Sequence, residues 1–175
     1  IAGETDLLIR GVIGALGMLF VSGEPYDRFN IPGKTLFDPI TAGLFLTGLT
    51  ITTWKLVKSP KNGGISNPIN TTAELLLIIW LPVFLLPTAL AVNEVFPSNV
   101  RAFGLFPLIF AFPAIGLTTL MSLLLNRCNT DKKKTSVYIF TLVLVCVLTC
   151  ATTAKNYFYV WAKQETQHIV NDGDL

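Results

Sequence analysis

The chain has 175 residues, of which 51% are apolar and only 14% charged, and its net charge is +2. A soluble domain needs roughly a quarter of its residues charged to cover its surface, so this composition excludes a disordered chain, a nucleic-acid-binding domain and an ordinary cytosolic enzyme. With mean hydropathy at +0.59 the chain reads as a membrane protein, and the small net charge implies no anionic partner.

A helix needs about 20 apolar residues to cross roughly 30 Å of hydrocarbon. The first apolar stretch, Leu7 to Val21, is too short and holds Arg10; it reads as an interfacial helix, or as the end of a helix cut by the chain start. Four later stretches qualify as spans: about Ile40 to Val57, Ala73 to Val92, Ala102 to Leu125 and Val137 to Ala154. The expected fold class is therefore all-α integral membrane, with four transmembrane helices plus an N-terminal interfacial or partial helix. Residues 1–39 form an outward-facing segment with an ordered loop, 40–155 the four-helix region and 156–175 an outward-facing tail. The chain begins with Ile and ends in a polar stretch, and is expected to be the middle of a longer gene product.

Loop charges predict the orientation. Lys55, Lys58, Lys61, Arg127, Lys132, Lys133 and Lys134 fall on one side with only Glu74 and Asp131 as acids. The positive-inside rule makes that side cytoplasmic, in the cell (cytoplasmic) membrane. The loop Asn93–Arg101 and the tail from Lys155 then face out with residues 1–39.

Ionisable groups inside a bilayer usually mark ion paths, proton relays or cofactor sites. None lies in a span centre here, and the single histidine, His168, sits in the tail. No catalytic residue, cofactor or metal is expected. Cys146 and Cys150 read as small packing residues on one face of the fourth span, with Cys128 a loop thiol. Asn70-Thr71-Thr72 fits a glycosylation acceptor on the wrong side, a chance match. Pro82 and Pro87 in the second span, and Pro107 and Pro113 in the third, should kink both helices. Freed carbonyls then need neighbours, so these helices are expected to pack against others. Gly43 with Thr47, and the run Gly11, Gly14 and Gly17, offer close-approach faces.

The most informative residues lie outside the spans. Gly23-Glu24-Pro25, Arg28, Asn30, Pro32-Gly33 and Asp38-Pro39 lead into Thr41 to Leu49. Pro97, Arg101-Ala-Phe-Gly104 and Pro107 precede the third span, and Tyr157-Phe158 with Trp161-Ala162 follow the fourth. In order and spacing these three places resemble the middle region of bacterial integral membrane glycosyltransferases of the dolichyl-phosphate-mannose–protein mannosyltransferase type, in the GT-C superfamily. The resemblance implies a multi-helix membrane bundle that takes sugar from a polyprenyl-phosphate donor at the outer face. It also implies a catalytic carboxylate in an earlier outward loop, which this chain lacks.

Inverting sugar transfer needs cationic help for a departing phosphate. Arg101 and Arg28 are the candidates to hold a lipid phosphate by a bidentate contact. Arg101 reads equally as a snorkelling anchor, and Arg28 as the partner of Asp27 or Glu24 in a loop ion pair. Asp38 and Asn30 belong to the candidate substrate loop, although Asp38 before Pro39 reads first as a helix N-cap. The expected partners are membrane lipid, a polyprenyl-phosphate sugar donor and further transmembrane helices, with no nucleic acid. The second functional class is a non-catalytic accessory subunit of a larger membrane complex, for example respiratory or photosynthetic.

Overall fold

The computed structural model describes residues 2–25, 31–58, 68–91, 97–126 and 131–163. Regular structure among them is helical: α1 (Ala2–Phe20), α2 (Pro39–Lys58), α3 (Pro68–Leu90), α4 (Phe106–Leu125) and α5 (Asp131–Lys155). A short 3₁₀ turn, Phe103–Leu105, precedes α4, and a wider π turn, Asn156–Trp161, prolongs α5. Four of these helices are long and apolar enough to cross a membrane. The chain is an all-α membrane protein.

The packing pairs are not the sequential ones. The broadest contact joins α2 to α4, and the next joins α1 to α3, while α3 and α4 barely touch. Gly48 of α2 and Gly116 of α4 form the α2–α4 crossing. A methyl group on Gly48 would drive into the Phe112 carbonyl oxygen, and one on Gly116 into that of Leu44. Without a strong hydrophobic drive between helices in lipid, such backbone approach is what makes dispersion contacts dense enough to hold them. Thr52, buried one turn below, donates its hydroxyl to the Gly48 carbonyl. Gly43 and Thr47, the pair singled out by spacing, do not make this seam. Gly43 is exposed with open space where a Cβ would stand, and Thr47 merely bonds back to its carbonyl.

Above the crossing, four rings run from the loop into the bundle: Phe20 to Phe37 at 5.7 Å between centroids, Phe37 to Phe45 at 4.7 Å and Phe45 to Phe112 at 5.1 Å. The core around them, with Met18, Leu19, Leu85, Leu105 and Leu108, sits towards the end of the bundle that carries residues 31–38 and 97–105, the loop end. The opposite end carries Lys55 and Lys58.

Several expectations need correction. Pro107 does not kink a helix: it occupies the first turn of α4, where its missing N–H would have had no partner. Pro82, Pro87 and Pro113 do lie inside α3 and α4. Cys146 and Cys150 are exposed on α5, which buries none of its residues, so they pack against nothing within the chain. The fourth span is longer than expected, since helix continues to Trp161. As for α1, Val12, Ala15 and Leu16 face Leu81, Pro82, Leu85, Leu86 and Ala89 of α3 across a shallow apolar crease. α1 thus packs on α3, and it is not among the four helices long and apolar enough to cross a membrane.

Candidate functional site

The loop end is assembled on backbone carbonyls that α1 leaves without partners in its last turn and on a side-chain hydroxyl of α3. At the end of α1, the Val21 and Ser22 N–H groups both bond to the Gly17 carbonyl, at 2.6 and 3.1 Å. The returning segment then takes the carbonyls that remain: Leu36 N–H donates to Met18 at 3.0 Å and Phe37 N–H to Leu19 at 3.2 Å. Between these two closures, Gly23 N–H bonds to the Gly33 carbonyl at 3.1 Å and Gly33 N–H to the Glu24 carbonyl at 2.8 Å. Both glycines are required. Gly33 has φ of +70°, and a Cβ on Gly23 would strike the Lys34 carbonyl oxygen.

Asp38 ends this segment by capping α2. Its Oδ1 accepts from the Ile40 N–H at 3.0 Å and the Thr41 N–H at 3.1 Å, while Oδ2 accepts from the Thr41 hydroxyl. Burial alone would raise its pKa; these hydrogen bonds outweigh it and hold the carboxyl below its ordinary value of 3.8. Asp38 is thus occupied by the helix it starts, with Pro39 as the first helical residue.

The second loop docks on the first. Ser98 N–H donates to the Thr88 hydroxyl at 2.9 Å, and Asn99 N–H donates to Oε2 of Glu24, 75 positions earlier, at 2.9 Å. Glu24 is only 3% exposed. From the other side, the Trp80 indole N–H reaches the Gly104 carbonyl at 2.8 Å, with Trp80 stacked on Phe84 and Phe84 filling the space a Gly104 side chain would need.

Where the two loops meet, a half-open cavity of about 330 Å³ is lined by Lys34, Thr35 and Asn99 and by Met18, Leu36, Ala102, Phe103, Phe106 and Ile109. Its character is amphipathic, with a cationic and an amide group beside an apolar wall. Among the described residues, Asn99 Oδ1 is buried with no hydrogen-bond partner, shielded from the cavity that the residue lines. Burial pushes the Lys34 ammonium below its ordinary pKa of 10.5, against the upward pull of the Asp38 carboxylate.

The expected site residues therefore divide. Arg101 is half-buried in the turn between Asn99 and Ala102 and interacts within the chain, without itself lining the cavity. Arg28 and Asn30 lie outside the described residues. The first two motif stretches come together in space; the aromatic one stands apart at the end of α5, where Tyr157, Phe158 and Tyr159 are exposed. Sequence reasoning missed Lys34 and Asn99. A lysine directly after the Pro32-Gly33 turn was the available signal, because a turn there folds the next residue back on the helix it left. Among the described residues, no three His, Cys, Asp or Glu side chains gather as a metal site would require. No protein-family model, curated protein or solved structure matches the chain.

Proposed function

We propose that this chain is the membrane-embedded part of a GT-C-type glycosyltransferase, and that its loop-end cavity takes the head of a polyprenyl-phosphate sugar donor. The observation that carries the reading is the cavity's composition. A lipid-phosphate sugar needs a cation for its phosphate, an acceptor for a sugar hydroxyl and an apolar wall for the first carbons of its tail. Lys34, the polar side chains of Thr35 and Asn99, and the group Met18, Leu36, Phe103, Phe106 and Ile109 line one cavity. Seven of the nine residues that line the cavity, all but Met18 and Ile109, fall within the two stretches in which the resemblance lies. In this reading the loop end faces outward and the lysine-bearing end faces the cytoplasm.

The described residues provide donor binding rather than the chemical step. Asp38 is committed to capping α2, and Glu24 is buried under the Asn99 amide, so neither offers a base to an acceptor at the cavity. One observation favours the second reading, a non-catalytic accessory subunit: α5 buries no residue within the chain, as a helix whose partners are other subunits would.

A photoreactive polyprenyl phosphate tests the proposal on the full chain in membranes. Labelling should map to α4 near Phe106 and be competed by unlabelled polyprenyl phosphate but not by inorganic phosphate. Lys34→Ala should weaken it by roughly tenfold, the worth of one charge-assisted contact. The lysine must be protonated to bind the phosphate, and its pKa lies below 10.5, so affinity should fall with rising pH before a free lysine would titrate. Equal labelling of wild type and Lys34→Ala would sink the assignment.

A further inference from the structure

The lysine-bearing end of the bundle takes no part in the loop-end cavity. Helices α2 and α4 both start at the loop end and cross where Gly48 meets Gly116. Lys55 and Lys58, seven and ten residues past Gly48, are therefore level with the last turn of α4. Helix α5 begins six residues after α4 ends, which brings Lys132, Lys133 and Lys134 of its first turn to the same end. Lys134 and Lys132 stand three and five residues before Val137, where the apolar run starts. That is about 5 to 8 Å along the helix, the depth of a headgroup layer.

Acids do not match these lysines. The two helix ends together hold five lysines and one acid, Asp131, which pairs with Lys134 at 3.5 Å. The other acids towards this end, Glu4, Asp6 and Glu74, belong to α1 and α3, and Asp6 is held by Arg10 at 3.0 Å. Lys58 Nζ rests 4.3 Å from the centroid of the Trp54 ring, which is 61% exposed. A tryptophan so placed suits a membrane–water boundary. Nor do the lysines of α5 serve their own helix, because cations in a first turn face the positive end of its dipole.

We infer that this end of the bundle binds the headgroups of lipids that carry net negative charge. Charge and depth call for an anion at the membrane surface, and the arrangement on α5 selects lipid over an acidic protein. Successive residues of a helix point about 100° apart, so Lys132, Lys133 and Lys134 spread over three faces of α5, which buries none of its residues. A protein docked on α5 covers one face, whereas lipids surround the helix and meet all three at headgroup depth. A zwitterionic headgroup brings its own cation to its phosphate; an anionic one leaves that charge to the lysines.

The test uses the full chain in phosphatidylcholine vesicles carrying a trace of spin-labelled phosphatidylglycerol or spin-labelled phosphatidylcholine. Electron spin resonance reads the fraction of each lipid immobilised at the protein surface. The anionic lipid should be favoured by about fivefold or more, the worth of one lysine near an anionic headgroup, and the preference should shrink as sodium chloride is added. Replacing Lys55, Lys58, Lys132 and Lys133 together by glutamine should remove most of it. Lys155→Gln with Lys163→Gln, at the other end of α5, should leave it. Equal immobilisation of the two lipids by the wild type would overturn the inference and leave an acidic protein as the partner. A preference indifferent to salt, or one lost with Lys34→Ala, would overturn it too. So would displacement of the spin-labelled anionic lipid by inorganic phosphate beyond that by chloride of equal ionic strength.

Discussion

At the scale of single residues, the loop end depends on groups that hold backbone rather than on groups free to react. Asp38 shows this most plainly. Replacing it with alanine removes acceptors from two N–H groups and a hydroxyl at the start of α2, and such caps are worth about 1 kcal/mol. Asp38→Ala should lower the thermal midpoint in detergent at neutral pH. The contribution is present above the ordinary carboxyl pKa of 3.8 and is lost as pH falls through the lower folded value. Wild type and Asp38→Ala should therefore converge in stability only in strong acid, and a gap that closed near neutrality would exclude the cap as its origin. Asp38 before Pro39 was legible as a cap because the geometry is local: acceptor, donors and proline fall within four residues. Glu24 was not. Its partner is the Asn99 amide, and no spacing rule reaches across 75 residues.

At the scale of elements, two glycines on the same helix should respond oppositely to the same substitution. Gly48→Ala forces a methyl group against the Phe112 carbonyl, and overpacking of this kind costs about 1–3 kcal/mol. Gly43→Ala meets nothing and should stabilise α2 by about 0.5–1 kcal/mol through the lost freedom of the unfolded glycine. Thermal unfolding of the two variants, side by side, decides it; equal shifts would mean the α2–α4 crossing is not backbone to backbone. Hydropathy located the first three spans to within about two residues, because bilayer thickness sets the length of an apolar run, but it cut the fourth short at both ends, where helix continues into polar and aromatic residues. It could not choose between Gly43 and Gly48, since which glycine faces a partner depends on α4, 68 positions away. The same limit applies to Pro107, where only the actual start of α4 distinguishes a first-turn proline from one that bends a helix.

At the scale of the whole molecule, the loop end is one unit in which each half completes the other. Glu24→Ala leaves the Asn99 N–H without its acceptor and should cost about 1–3 kcal/mol locally. Hydrogen exchange at Asn99 should accelerate by roughly tenfold or more, with little change at Gly48 or Gly116 in the bundle centre. Uniform acceleration along the chain would instead make the Glu24 contact part of global stability. The cavity shares this dependence, because Asn99 and Lys34 reach its wall from the two loops that the contact joins.

The interleaved pairing, α1 with α3 and α2 with α4, governs the order in which the protein can be made. A ribosome delivers helices in sequence, so α2 enters the membrane with its Gly48 notch bare and remains so until α4 emerges. Nothing in α3 can fill that notch, because the matching groove is carved by Gly116 and Phe112. The early helices must wait in the insertion machinery or in lipid as unmatched halves. Stopping synthesis before α4 should yield a product that membrane proteases clear, whereas α4 supplied as a separate polypeptide would restore the missing mate.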